Sequence, residues 1–532
     1  MWLSPEDLDG VPQAELDRFS VGKEGPNEGM LFIRTQSADP DIIVRHATNP
    51  RIRKRVYLAE MGGLEENVDL LRDIIWKRDD NACLLGYSSH AAFRLERRVA
   101  KTVEWVDEFL SDVESNLLER GAAEMKLLME RKASYVQADP KRDEPYPDCM
   151  PPWDYPFYSH IVQEEMNIRH EQIAEYFPLR NTLMSMLNVF ASCLQLQFIP
   201  LEPETLADSI WHNEVEAWSV WDLREKTRGE FVGYLYADVL QRPGKHKGSQ
   251  NVNLQCGYLK KDGRRVYPAT ILMCNFSCVS AVGCPLLKHH QLVSLFHELG
   301  HGIHDLLSRT SYIKLHGHRA PPDFAEAPSI MLENWCWMEQ ELQQMSCHYS
   351  SLSPEHLAHW QKQNKTAEVP STGIPDDLLS SLVQSRGVNR GLWFLRQLAI
   401  SRFDLAIHNP PNRESLATLD LTKLWARIWE HLTLTSCPDM HDRGYQYGQF
   451  GHLLSGYDAG YYSYLCAQVF AAELFQATFA KDPRDQAAWE RYRCGFLKYG
   501  GSRDELRLLE DFLGHRPTSA VLFHGLKPTP GS

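Results

Sequence analysis

Apolar residues recur every three to four positions over most of this chain, so helix is the expected state along most of its length. From Pro5 to about Ile210 the pattern is helical almost throughout. LEENVDLLRDIIWKR (64–78) places Val68, Leu71, Ile74 and Ile75 on one face, and VAKTVEWVDEFLSDVESNLLERGAAEMKLLMER continues the same period. Proline-rich breaks fall at PYPDCMPPWDYP (145–156) and around FIPLEPE (198–204). The pattern then changes. FVGYLYADVL (231–240), NVNLQCGY (251–258) and RVYPATILMCNFS (265–277) are β-branched and aromatic, bounded by RPGKHKGS and KKDGRR, and predict strands of one small sheet. After Pro285 the helical period resumes and runs to about Gly514. The pattern therefore predicts a mainly α protein in three stretches: a helical lobe over 1–200, a small β-rich region over 201–285 and a helical region over 286–532.

One stretch tests for a membrane span. Between Arg180 and Glu202 lie 21 residues without charge, NTLMSMLNVFASCLQLQFIPL. Within them Asn181, Ser185, Asn188, Ser192 and Gln195 draw a polar stripe along one helix face, the signature of an amphipathic helix on a soluble core. A formal charge of −14 argues against nucleic acid as a partner, because phosphate binding needs a basic face. The twelve cysteines are scattered. Their one local cluster, Cys274, Cys278 and Cys284, lacks the paired spacing of a structural zinc site, so buried thiols in a reducing compartment are expected. The start, MWLSPEDLDG, lacks the basic and apolar regions of a secretory signal.

Candidate chemistry concentrates in HELGHGIH (297–304). His297 and His301 stand at i and i+4, about 40° apart in azimuth and about 6 Å along the helix axis, so both imidazoles reach one ion. Glu298, one step round, can address a water without being a ligand, which is the HExxH arrangement of zinc peptidases. Leu295, Phe296, Leu299, Ile303 and Leu306 give the helix an apolar face. Gly300 and Gly302 interrupt it, each at about 1 kcal/mol relative to alanine, so something should approach that backbone closely. His304 shares the stripe but lies about 10.5 Å further along. Zinc–nitrogen bonds of about 2.1 Å cannot span that distance, so His304 is expected to be structural or to support a ligand.

The third ligand has to come from another element. RAPPDFAEAPSIMLENWCWMEQEL opens a new helix, with Pro321 and Pro322 before it and acidic residues at its N-terminal end. Glu326 and Glu333, seven apart, share a face. Either can be the ligand, with the other, or Asp323, orienting a histidine. Spacing alone leaves both open.

With these residues in view, the chain resembles the thimet oligopeptidase and neurolysin family of zinc metallopeptidases, which includes oligopeptidase A. HELGHGIH and DFAEAPSIMLENW carry the resemblance, together with WDYPFY (153–158), EYFPL (175–179), WHNEV (211–215), GEFVGYLYADVLQRPGK (229–245) and FGHLLSGYDAGYYSYL (450–465). The resemblance implies a two-lobed helical zincin-type fold with a small sheet beside the HExxH helix and a deep substrate channel. It also implies one zinc ion per chain on His297, His301 and Glu326, with Glu298 as general base. From FGHLLSGYDAGYYSYL it implies that His452, Tyr457, Tyr461 and Tyr464 face the substrate, with Tyr461 or Tyr464 stabilising the oxyanion. Gly451 and Gly456 belong to a mobile substrate-binding loop. The expected activity is cleavage of internal bonds in short peptides by a cytoplasmic monomer, or a mitochondrial one if a targeting segment lies upstream. Release of C-terminal dipeptides and non-catalytic peptide binding are the alternatives. This sequence departs from the family pattern at Leu299, at Ser455, where a glycine is usual, and in the loop HGHRAPP (316–322). It also begins inside the family's N-terminal lobe, so that lobe is expected to be short. RVYPATILM, just before the zinc helix, is the strand expected to pair with an extended substrate.

Overall fold

A computed structural model describes residues 1–524, apart from Gln36, Leu64, Pro140, Lys141, Asp143, Asn167 and the segments 207–208, 278–283, 366–367 and 437–443. Cys278 of the small cysteine cluster therefore lies outside the described residues. The three stretches expected from composition follow the chain, whereas its compact units do not. One unit combines Met1–Asn167 with Gly387–Leu465, and the other combines Ile168–Arg386 with Cys466–Gly525.

The first unit is organised by the helix Val103–Gln137. Thr102 starts it, its hydroxyl accepting the Trp105 N–H at 3.2 Å. Val106, Leu110, Val113, Leu117, Gly121, Met125 and Leu128 form its buried seam, spaced by three and four. This seam packs on the helix Arg390–His408, so closely at Gly121 that a Cβ there would run into Leu395. WDYPFY supplies core rather than chemistry. Trp153 and Tyr158 are buried, and Asp154, also buried, accepts hydrogen bonds from Arg53 (2.8 and 2.9 Å) and Lys132 (3.2 Å). Removing Asp154 would strip both buried cations of this shared carboxylate. The helix expected from Pro5 gives way at the start of the chain. Trp2–Leu3, Ser20–Val21 and Leu31–Phe32 pair as a small antiparallel sheet over Leu3, Leu8, Val11, Phe19 and Ile33. Gly10, Gly25 and Gly29, all at positive φ, break any helical run there.

In the second unit the uncharged stretch forms the helix Leu179–Leu194, with Leu183, Met186, Leu187 and Phe190 buried. It stops at Gln195, which is left-handed, and turns into the strand Leu196–Pro200. No described helix is long and apolar enough to cross a membrane. Five strands form the main sheet in the order Leu196–Pro200, Glu216–Asp222, Phe231–Leu240, Ala269–Phe276, Gln250–Gln255. The third and fourth pair parallel, and the other neighbours are antiparallel. This order corrects one expectation. Ala269–Phe276, from RVYPATILM, is paired along both edges, with Leu272 opposite Ala237 on one side and Asn251 on the other. Residues 269–273, the part of this strand within RVYPATILM, thus offer no free edge to a substrate. Among the described strands, the edge on that side of the sheet is Gln250–Gln255.

Candidate metal centre

The helix His289–Leu307 lies against this sheet. Its start is fixed by Gln291, whose side chain accepts the Lys288 N–H at 2.9 Å. Its two glycines face different neighbours. A Cβ on Gly302 would meet Asn251 Nδ2 and Leu272 Cδ2 of the sheet, each at 3.3 Å. One on Gly300 would meet Leu332 Cδ1 at 2.9 Å and Ser329 Cα at 3.2 Å. The close approach expected from these glycines is therefore real on both sides of the helix.

Ser329 and Leu332 belong to Ala327–Leu332, and Glu326 sits at the break between that helix and Pro322–Ala325. The break turns its carboxylate onto the two histidines. Glu326 Oε2 lies 3.2 Å from His297 Nε2 and 3.1 Å from His301 Nε2, and the two Nε2 atoms are 3.2 Å apart. Among the described residues, His297, His301 and Glu326 are the one group of histidine, cysteine or acidic side chains whose donor atoms converge, all within 4.8 Å. Glu333 has a different place: its Oε1 is 2.8 Å from His297 Nδ1. With a metal bound, His297 would donate Nδ1–H to Glu333 and present its Nε2 lone pair to the centre.

The electrostatics call for positive charge at this point. Burial alone would lower His297, but Glu326 and Glu333 carry it up to about 10. Burial disfavours ionised Glu326, yet its hydrogen bonds to the two histidines hold it far below the usual carboxylate range. Two imidazole nitrogens and one carboxylate oxygen, with one imidazole oriented from behind, are the donor chemistry of a catalytic zinc site.

Glu298 is buried beside the edge strand, where it accepts a hydrogen bond from the Asn251 backbone. Burial, reinforced by Glu326, pushes it up to about 7. His304 does not join the donor group. It is fully buried, and desolvation drives it down to about 3, leaving it neutral.

The HGHRAPP loop contributes a residue that sequence reasoning set aside. Asp305, fully buried, accepts hydrogen bonds from Thr270 Oγ1 (2.8 Å) and His318 Nδ1 (2.9 Å). The His318 ring then stands 4.7 Å from that of His301. Gly317, at φ +60°, passes so close to Asp305 that no Cβ would fit. Asp305 in the last turn of a histidine-bearing helix, ahead of H-G-H, was the available signal.

The residues expected to face substrate cluster in the first unit. The His452 ring lies 5.8, 5.6 and 5.8 Å from those of Tyr457, Tyr461 and Tyr464, and Tyr457 stacks on Tyr464 at 4.9 Å. Tyr461 is only 6% exposed, and its hydroxyl donates to Gln397 Oε1 at 2.8 Å. Burial raises it to about 12. Its hydroxyl is thus committed inside the unit, contrary to the expectation of a substrate-facing group. Gly456, at φ +95°, needs glycine; Gly451 is exposed with open space around it. The Ser455 hydroxyl donates to the Gly451 carbonyl at 2.9 Å, so this departure does tie the loop to itself.

Comparison with known proteins places the chain in a family. The model of peptidase family M3 matches residues 43–527. Saccharolysin of Saccharomyces cerevisiae is 34% identical over 521 residues, which cover 97% of this chain and 69% of that protein. The thimet-like oligopeptidase of Dictyostelium discoideum is 28% identical over 98% of this chain and 73% of its own length. Oligopeptidase A of Salmonella typhimurium is 26% identical over 98% and 73%. Among solved structures, PZ peptidase A with an inhibitor aligns with 98% of this chain and 76% of its own, at a TM-score of 0.49 and 14% identity. With one family model running along nearly its whole length, the chain belongs to peptidase family M3 and is a metallopeptidase.

Proposed function

We propose that the chain hydrolyses internal bonds of short peptides, with zinc held by His297, His301 and Glu326 and with Glu298 as general base. The observation that carries this reading is the convergence of three donor atoms within 4.8 Å, with Glu298 next in sequence to one of them. Zinc bound there supplies a Lewis acid that lowers the pKa of water and polarises the scissile carbonyl. Glu333 keeps His297 in the tautomer that offers Nε2. The Glu298 carboxylate takes the proton from the attacking water and returns it to the leaving amine. Gln250–Gln255 is the edge along which an extended peptide would pair, since it is the outer strand next to Glu298. His452, Tyr457 and Tyr464 remain the residues proposed, from the family resemblance, to contact the peptide. The buried Tyr461 hydroxyl supports its neighbours rather than the substrate. The ten described cysteines are all free of disulfides, in keeping with the reducing compartment proposed here, the cytosol.

Purified protein should contain one zinc per chain and cut a peptide library at internal bonds, with blocked and free C-termini cleaved alike. A chelator should stop cleavage and added zinc restore it. Cleavage that continues in zinc-free protein would overturn the reading. Cuts confined to two residues from a free C-terminus would make the enzyme a peptidyl-dipeptidase.

A further inference from the structure

The segment from Gly456 to Tyr461 is held by two buried carboxylates that no reaction step uses. Asp404, on the helix Arg390–His408, is 1% exposed. Its carboxylate accepts three consecutive backbone N–H groups: Ala459 on Oδ1 at 2.9 Å, and Gly460 and Tyr461 on Oδ2 at 2.8 and 2.9 Å. His408, one turn on, also approaches Oδ1, with Nδ1 at 2.9 Å, while Arg78 Nη1 lies 3.0 Å from His408 Nε2. Because the guanidinium can only donate, His408 carries its proton on Nδ1 and gives it to Asp404.

The other end of the turn is fixed independently. Asp458 meets His90 Nε2 at 2.7 Å and Arg94 Nε at 3.0 Å, and the Gly456 carbonyl accepts from Arg94 and Arg98 at 3.0 Å each. Between these anchors Ala459 is held at φ +51°, a left-handed conformation that a residue with a Cβ adopts only where its surroundings impose it. Upstream, Gly451, His452, Leu454 and Ser455 are exposed around the buried Leu453, whose carbonyl accepts from Arg78 at 2.7 Å.

We propose that Asp404 is a positioning residue, which fixes the turn carrying Tyr457, Tyr461 and Tyr464 by taking up its three successive N–H groups. The inference rests on the reading that Tyr457 and Tyr464 act on the substrate, but the clamp itself can be tested without activity. An asparagine at 404 keeps one acceptor oxygen and turns the other into a donor facing an N–H, so at least one of the three bonds is lost.

The test combines amide exchange with kinetics on the zinc-loaded full chain. In Asp404→Asn, the peptide covering 456–464 should exchange deuterium faster than in wild type, with zinc content unchanged. Turnover should fall by tenfold to about 100-fold, the effect of a misplacement of about 1 Å, with KM little altered. In a Tyr457→Phe background, combining Asp404→Asn with Tyr464→Phe should be no slower than the slower of the two separate variants, since both then remove one function. Should the asparagine variant fail to fold, Asp404→Glu, which keeps the charge but displaces it, is expected to show the same two changes in milder form. Wild-type exchange in 456–464 in whichever variant folds would overturn the clamp. Losses that multiply in the combined variant would overturn its action through the tyrosine. Full activity of Tyr457→Phe and Tyr464→Phe, alongside faster exchange in Asp404→Asn, would overturn the assignment of the tyrosines and leave the clamp standing.

Discussion

Replacing Gly300 by alanine sets two physical effects against each other at the metal centre. In a helix interior, alanine is more favourable than glycine by about 1 kcal/mol, so propensity predicts stabilisation. The structure predicts the reverse. A Cβ at position 300 would sit 2.9 Å from Leu332 Cδ1 and 3.2 Å from Ser329 Cα. The leucine methyl can rotate away, but the Ser329 backbone has to move, and overpacking of this kind typically destabilises by about 1–3 kcal/mol. The net expectation is a loss of up to about 2 kcal/mol. The displaced segment begins at Glu326, whose Oε2 lies 3.1–3.2 Å from both histidine Nε2 atoms, so zinc affinity should fall with it, by about tenfold for each 1.4 kcal/mol. Gly302→Ala is the control. Its contacts are side-chain ends at 3.3 Å, which can yield, so its zinc affinity should stay near wild type. Thermal unfolding of the metal-free proteins and titration against a chromophoric chelator give the two quantities. A Gly300→Ala protein more stable than wild type, with unchanged zinc affinity, would refute the close-approach argument.

Two further predictions bear on neighbouring groups. Glu333→Ala removes the acceptor 2.8 Å from His297 Nδ1 and should weaken zinc binding by about 10–100-fold, with Glu333→Gln intermediate; equal affinity in all three proteins would show that His297 needs no such support. Buried His289, which donates to the Cys336 carbonyl, is lowered by desolvation to about 4. Between its unfolded value of about 6.5 and 4, only the unfolded chain binds this proton, so its contribution to stability is present above about pH 6.5 and lost at about 1.4 kcal/mol per pH unit as pH falls. Unfolding midpoints of His289→Gln should therefore vary less steeply between pH 6.5 and 4 than those of wild type, and parallel curves would disprove the assignment.

What could be read from the chain, and what could not, follows from how local each feature is. The spacing of His297 and His301 is a property of one helix, and Phe231–Leu240 carries its own β pattern, so both were legible to the residue. Glu326 and Glu333 both reach His297, but their roles depend on a helix break at Glu326 that no periodicity shows. Leu196–Pro200 was hidden because its apolar residues continue those of the preceding helix, and the turn between them hangs on one left-handed glutamine. The strand assigned to substrate was the wrong one for a reason present in the sequence. The continuous apolar run ATILMCNF marks an interior strand, whereas the polar QNVNLQ marks an edge. Tyr461 and Tyr464 look alike in sequence, but Tyr461 is buried with its hydroxyl on Gln397 whereas Tyr464 is half-buried. The return of the chain to its first unit at Gly387 has no local signature.

The most direct test of the account is turnover by Glu298→Gln. Glutamine keeps the shape of a side chain 8% exposed and leaves His297, His301 and Glu326 untouched, so zinc should bind at one ion per chain as in wild type. It cannot take a proton from water. Cleavage of an internally quenched oligopeptide should then drop by about 100-fold to 10,000-fold at saturating substrate, the range for a lost general base. A zinc-loaded Glu298→Gln protein that cleaves this peptide at the wild-type rate would contradict the role given to Glu298.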